Sequence, residues 1–228
     1  MRQPACSPGS RIRYRANIKQ ANEKDKEVNT VNSIIPETPR LQGVLRQSGS
    51  QLRVVELFAG AGGMGLGFLM AGNQDYGFRI IQSAEIQPIY LKSLEKNYKY
   101  FANNFTDRID GYCHSDYTPI DLTESCGRSL VKEAVEKAGG VDILIGGTPC
   151  QGFSQSNRSS WNPKSKYNKL VDVFIECAVE LSPKVILLEN VQGILWTPKN
   201  SGIKKNSLTV VDHISNKLTD EGYKLLCF

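Results

Sequence analysis

Three groups of residues have types and spacings suited to chemistry. The first is Gly146-Gly147-Thr148-Pro149-Cys150-Gln151-Gly152-Phe153-Ser154. The run Val141-Asp142-Ile143-Leu144-Ile145 precedes it, has strand length and ends in two glycines. Proline sets its own φ and biases Thr148 toward extended backbone, so Cys150 is presented at the mouth of a strand. A thiol held there is a candidate nucleophile if a neighbouring base or a lowered pKa activates it. A small core cysteine fits the same residue.

The second group is Gly60, Gly62 and Gly65, a G-x-G-x-x-G pattern in Ala59-Gly60-Ala61-Gly62-Gly63-Met64-Gly65, with Glu85 twenty residues after Gly65. Such a turn lets backbone approach a ligand, and the acid is placed to hold ribose hydroxyls. The pattern suits a nicotinamide-dependent dehydrogenase as well as a methyltransferase, and a tight strand-to-helix turn without a ligand also accounts for it. Asp116 is placed to accept from an exocyclic amine such as that of adenine, or else to serve as a turn or N-cap aspartate. The third group is Glu189-Asn190-Val191, directly after an apolar run. A carboxylate at a buried strand end is expected to have a raised pKa, because desolvation disfavours its charge. It would then hold or donate a proton, or pair structurally with a backbone N–H or a lysine.

Hydrophobic periodicity supplies the elements that must position these groups. Strands are predicted over Leu52–Phe58, Phe78–Ala84, near Asp110–His114, over Val141–Ile145 and Lys184–Leu188, and at Tyr223–Phe228. Helices are predicted over Leu66–Ala71, from Pro88 to about Tyr100, over Ser129–Ala138 and Leu170–Leu181, and over about Leu208–Leu218. Strands alternating with helices, most strands apolar throughout, imply an α/β parallel sheet with helices on both faces. Ligands bind such sheets beyond the carboxyl ends of the strands. The glycine turn, Glu85, Asp116, Cys150 and Glu189 all fall at those ends.

Charge divides the chain in two. Residues 1–50 hold nine Lys/Arg and four Asp/Glu, whereas residues 51–228 hold nineteen of each, so the net charge of +5 resides in the first fifty. That segment lacks a sustained apolar period and reads as a basic, largely disordered arm, with a short helix near Arg11–Glu27. Residues 51–228 read as one domain. Cys150 to Val171 contains no acid but has Arg158, Lys164, Lys166 and Lys169, and Asn190 to Val211 contains no acid but has Lys199, Lys204 and Lys205. A basic rim around a thiol suits a polyanion such as double-stranded DNA. The six cysteines have no short paired spacing and read as reduced intracellular thiols, with no metal site. No apolar run approaches a membrane span.

Together, Phe58-Ala59-Gly60-Ala61-Gly62-Gly63, Pro149-Cys150-Gln151-Gly152-Phe153-Ser154 and Glu189-Asn190-Val191 resemble the cytosine-carbon-5 DNA methyltransferases in order, spacing and strand context over about residues 52–228. The resemblance implies a Rossmann-like fold for S-adenosylmethionine-dependent methyl transfer, in a bacterial cytoplasm or nucleoid. It implies that Phe58, Ala61, Gly62 and Gly63 cradle the cofactor. Glu85 would bind its ribose and Ile86 would pack on its base. Asp116 would accept from its amine, with Tyr117 beside it, and Pro149 and Leu170 would border the pocket. Cys150 would be the nucleophile and Glu189 the group that binds the flipped cytosine, with residues from Gln151 to about Lys169 as a closing loop. Tyr167-Asn168-Lys169-Leu170 matches the family's segment only loosely.

The family's Gln-Arg segment and target-recognition domain find no match in this sequence, which reads as one subunit of a split enzyme, a truncated enzyme or a degenerate relative; the first is favoured, with a second polypeptide carrying both parts expected as partner. A dehydrogenase would leave the Pro-Cys-Gln and Glu-Asn-Val groups unexplained, and mixing with reduced nicotinamide discriminates it. A non-catalytic cofactor- or DNA-binding regulator on the same scaffold is the other alternative. The recognition sequence and the biological setting (restriction–modification, epigenetic marking or phage defence) stay open.

Overall fold

The structure, a computed structural model, describes residues 50–72, 76–105, 116–149, 168–191 and 210–226. The arm assigned to residues 1–50, apart from Ser50, lies outside the described residues. So do the strand expected near Asp110–His114, Cys150, and most of the two basic stretches.

Among the described residues, nine elements follow one another: β1 (Ser50–Leu57), α1 (Gly63–Ala71), β2 (Tyr76–Ala84), α2 (Pro88–Asn104), α3 (Ser125–Lys137), β3 (Ile143–Gly147), α4 (Asn168–Leu181), β4 (Val185–Glu189) and α5 (Val210–Asp220). The strands form one sheet in the order β2-β1-β3-β4, and every pairing is parallel. The chain winds outward from β1 to β2, then returns past β1 to β3. The reversal falls between the exits of β1 and β3, where an open α/β sheet leaves a crevice for a ligand.

Alternation along the inner strands feeds two cores. Val54, Ile80, Ile143 and Ile145 pack with Leu69, Leu94, Tyr98 and Phe101 of α1 and α2. Val55, Leu57 and Leu144 pack with Val131 and Val135 of α3, Val171, Phe174 and Cys177 of α4, and Ile214 and Leu218 of α5. Successive strand residues point to opposite faces, so a strand buried on both sides is apolar over most of its length. Cys177 belongs to this core, and burial pushes its thiol up to about 12. It is inert packing.

Several boundaries depart from expectation for local reasons. α3 starts a turn earlier than Ser129, with Gly127 inside it. A β-carbon on Gly127 would run into the Asp121 carbonyl, so the glycine that reads as loop is a packing requirement. β3 is displaced two residues toward its carboxyl end, beginning at Ile143, and the Asp142 side chain before it is held by ion pairs. Its carboxylate takes Arg53 N and Nε at 2.9 Å and Lys184 Nζ at 2.8 Å. The Arg53 guanidinium, assisted by Lys184, holds the Asp142 carboxyl well below the usual carboxylate range. The terminal strand is not formed over residues 223–226. Gly222 caps α5 at φ 88°, Tyr223 N donates to Leu218 O at 2.9 Å, and the Tyr223 hydroxyl donates to Pro183 O at 2.5 Å, so the backbone here closes the end of α5 instead of joining a ladder.

β4 also departs from the two-faced burial expected of most strands. It is an edge of the described sheet, with Val185 53% and Leu187 39% exposed.

Candidate active site

The glycine pattern forms a turn that needs its glycines. β1 stops at Leu57, and Phe58 takes a φ of 54°, in the left-handed region that side chains rarely adopt. Gly60 and Gly62 follow at φ 55° and 80°, without that penalty. Gly62 N donates to Ala59 O at 2.8 Å to close the turn, and Gly62 then N-caps α1. Ala59 N donates to Ala84 O at 3.0 Å, fastening the turn to the end of β2. From α2, Asn97 Nδ2 donates to Ala61 O at 2.9 Å.

Glu85 completes this junction. It is only 8% exposed, and its oxygens accept Gly60 N at 2.9 Å and Gln87 N at 2.7 Å. Its carbonyl accepts Ile120 N at 2.9 Å, which returns the segment holding Asp116 and Tyr117 to the β2 exit. Phe58, Ala61, Gly62, Gly63 and Glu85 thus occupy one turn-and-strand junction, with exposed Ile86 beside them. Asp116 is exposed, and its Oδ1 accepts the N–H of Thr118 at 3.0 Å and also the Thr118 hydroxyl, as a turn aspartate does. Tyr117 packs half-buried against the core beneath α1 and α2.

The exits of β3 and β4 form a second junction. Gly147 pairs with Glu189 in register, and a β-carbon on Gly147 would lie 2.8 Å from Glu189 Oε2. Thr148, buried, accepts Asn190 Nδ2 at its Oγ1 at 2.8 Å. Pro149 follows, half-buried. The expected burial of Glu189 does not occur. The residue is exposed, because it ends an edge strand and not an inner one. Leu57 of β1 pairs with Gly146 of β3, so the two junctions leave neighbouring strands on the same sheet edge. Leu170 lies half-buried in the first turn of α4, four residues before Phe174 and therefore on the same helix face. Phe174 Cε2 closes over Gly146, where a β-carbon would meet it at 2.9 Å.

Sequence reasoning passed over Glu56, which lies within β1 and is 1% exposed. Its Oε1 accepts Gly65 N at 2.8 Å, and its Oε2 accepts the Tyr98 hydroxyl at 2.7 Å and the Ser83 hydroxyl at 3.2 Å. One carboxylate therefore joins β1, α1, β2 and α2 directly beneath the glycine turn. Burial raises its pKa against the opposing pull of the Tyr98, Gly65 and Ser83 donors, and burial prevails. The available signal was a charge inside Val54-Val55-Glu56-Leu57-Phe58, since a buried charge must find partners.

These junctions can be set beside known proteins. The family described as C-5 cytosine-specific DNA methylase matches residues 52–227. The chain belongs to this family. Among curated relatives, the type II methyltransferase M.XorII of Xanthomonas oryzae pv. oryzae is 34% identical over 140 residues, 61% of this chain and 28% of its own length. The type II methyltransferase M.Eco47II of Escherichia coli is 32% identical over 173 residues, 75% of this chain and 33% of its own. The type II methyltransferase M.DdeI of Desulfomicrobium norvegicum is 33% identical over 175 residues, 76% and 35% respectively. The chain thus spans about a third of the length of these relatives. Among the described residues, no helix is long and apolar enough to cross a membrane.

Proposed function

We propose that this chain carries the cofactor and nucleophile sites of a DNA (cytosine-5-)-methyltransferase. One observation carries the proposal. Backbone pairing of Gly147 with Glu189, and the bond from Asn190 to Thr148, set the strand end that leads to Cys150 beside the strand end that carries Glu189. Two motifs separated by almost forty residues of sequence thereby share one place.

The first junction fits the cofactor. β-carbons built on Gly60 and Gly63 meet nothing within 4 Å, so the turn has open space before it. Each Glu85 oxygen accepts one backbone N–H, and a carboxylate has about four lone-pair sites, which leaves acceptors for two ribose hydroxyls. Phe58, Ala61, Gly62, Gly63, Ile86, Asp116, Tyr117, Pro149 and Leu170 are the proposed lining. S-adenosylmethionine, when bound, supplies an electrophilic methyl group.

Carbon 5 of cytosine is a poor nucleophile while the ring is aromatic. The Cys150 thiolate adds at carbon 6, forming an S–C bond as the 5,6 double bond opens and electron density moves to carbon 5. Glu189 holds the exocyclic amine and ring nitrogen 3, steadying the base as charge develops. After methylation a base removes the carbon-5 proton, the double bond re-forms, and the thiolate leaves. The cytosine must be flipped from the duplex for this to happen. The residues from Gln151 to about Lys169 are the proposed closing loop.

We also propose that target reading comes from protein beyond the matched span, in the form of a second polypeptide with the Gln-Arg segment and recognition domain. The support is the apolar side of β4, where Val185 and Leu187 stay exposed and would be covered by further protein.

The test is covalent trapping on duplex DNA carrying 5-fluorocytosine, with S-adenosylmethionine present, using the chain alone and mixed with such a partner. Wild type should trap and Cys150→Ser should not. Trapping that persists in Cys150→Ser, or wild type that never traps, overturns the assignment. Sequence-specific turnover by this chain alone overturns the need for a second polypeptide.

A further inference from the structure

The Asn190 side chain spans the two strand exits in a way that the proposed chemistry leaves unused. Its Nδ2 donates to Thr148 Oγ1 at 2.8 Å and lies 3.4 Å from Thr148 O, while its Oδ1 accepts Val191 N at 2.9 Å. The amide is therefore oriented at both ends, with its oxygen fixed by its own strand exit and its nitrogen on the neighbouring one. Thr148 is 1% exposed, so the bond from Asn190 is made out of reach of solvent. Thr148 precedes Cys150 by two residues, and Pro149 between them has a fixed φ. Few backbone dihedrals separate the Asn190 anchor from the thiol. On the other side of the same amide, Glu189 is its immediate neighbour.

We propose that Asn190 is a positioning residue that locks the backbone leading to Cys150 to the strand end bearing Glu189, so that nucleophile and base-holding carboxylate keep one spacing. The inference deepens the function proposed above and rests on it. Backbone pairing between β3 and β4 runs only as far as Gly147 and Glu189. Beyond that pair, the Asn190–Thr148 bond continues the coupling. An attacking atom must lie within a few tenths of an ångström of its productive place, and a displacement of about 1 Å costs on the order of a hundredfold in rate. Asn190 touches no reacting atom in this scheme; it acts through Thr148.

The experiment measures single-turnover covalent trapping on 5-fluorocytosine duplex by the same preparation that traps in the wild-type form. Asn190→Ala and Thr148→Val should each slow trapping by roughly 10- to 100-fold. Thr148→Ser, which keeps the hydroxyl, should stay within about threefold of wild type. The double variant Asn190→Ala/Thr148→Val should be no slower than the worse single variant, because both lose the same Asn190–Thr148 bond. S-adenosylmethionine affinity by calorimetry should be unchanged in all four, and DNA concentration dependence should show the loss in the rate and not in KM. A merely structural role predicts the opposite pattern, a lower melting temperature with an unaltered trapping rate in the fraction that is folded. Wild-type trapping with an equal rate in Asn190→Ala overturns this inference alone. Absence of trapping by wild type overturns the proposed function and this inference with it.

Discussion

The carboxylate of Glu85 accepts the backbone N–H of Gly60 at 2.9 Å, so the acid at the end of β2 is fastened to the turn that follows β1. Its other oxygen takes Gln87 N at 2.7 Å. The proposed ribose acceptor is thus held in place before any ligand arrives, and it also shapes the turn expected to receive that ligand. Both functions should fail together in Glu85→Ala. Charge-assisted hydrogen bonds are worth about 1.5–3 kcal/mol, so cofactor affinity should fall roughly 10- to 100-fold. Unchanged affinity by calorimetry would place the cofactor elsewhere.

A second prediction concerns Glu56. Its folded-state pKa is raised, mainly by burial, so the folded protein binds this proton more tightly than the unfolded chain. Stability associated with the protonated form is then complete below the unfolded value of about 4.3 and declines as pH rises toward the raised folded value. Glu56→Gln cannot ionise. It should therefore gain stability relative to wild type as pH is raised from about 4 to 7, whatever its offset at the start. Parallel denaturant titrations of the two proteins check the sign, and a gap that stays constant across that range rejects it.

Much of this architecture is legible in the chain because the inner strands are buried on both faces. Val54-Val55 and Ile143-Leu144-Ile145 have to be apolar throughout, and they announce themselves as strands. The glycine turn is legible for a different reason. Positive φ at Gly60 and Gly62 is a backbone demand that composition exposes. Glu189 was misjudged because apolar residues before it suggest burial, whereas sheet order, which decides edge from centre, depends on long-range pairing. The Asn190–Thr148 bond and the Asn97 contact with Ala61 join residues whose sequence separation carries no pattern at all. Local chemistry was readable, and the joinery between strand exits was not.

Asp142 supplies a prediction with the opposite pH dependence. Arg53 and Lys184 depress its folded pKa, so the stabilisation is fully present above the ordinary aspartate range near 3.9 and is lost as pH falls below it. Lys184 is largely exposed and contributes little; the half-buried Arg53 contributes more. Asp142→Asn should be less stable by about 1–3 kcal/mol at pH 7. That deficit should shrink as pH drops below about 4. Urea midpoints that differ by the same amount at pH 7 and pH 3 would show that the ion pairs are not the source.

The final prediction separates function from stability at a single glycine. A β-carbon on Gly147 would sit 2.8 Å from Glu189 Oε2, while its next nearest neighbours, Glu189 O and Cβ, lie at 3.7 and 3.8 Å. Only the tip of a flexible side chain has to move, and the backbone of Gly147 lies outside the positive-φ region, so alanine fits the fold. Gly146 offers the contrast. A β-carbon there would lie 2.5 Å from Leu57 O and 2.9 Å from Phe174 Cε2, against backbone and a core ring that cannot yield. Gly146→Ala should therefore destabilise the fold by about 1–3 kcal/mol, as overpacking does. Gly147→Ala should change stability by less than about 1 kcal/mol, yet push the Glu189 carboxylate off its seat. If that carboxylate holds the cytosine, covalent trapping should slow roughly 10- to 100-fold with S-adenosylmethionine affinity intact. Thermal melts, calorimetry and trapping rates on the two alanine variants decide the matter. Wild-type trapping by Gly147→Ala would mean that the observed seat of Glu189 is not the one it uses on DNA.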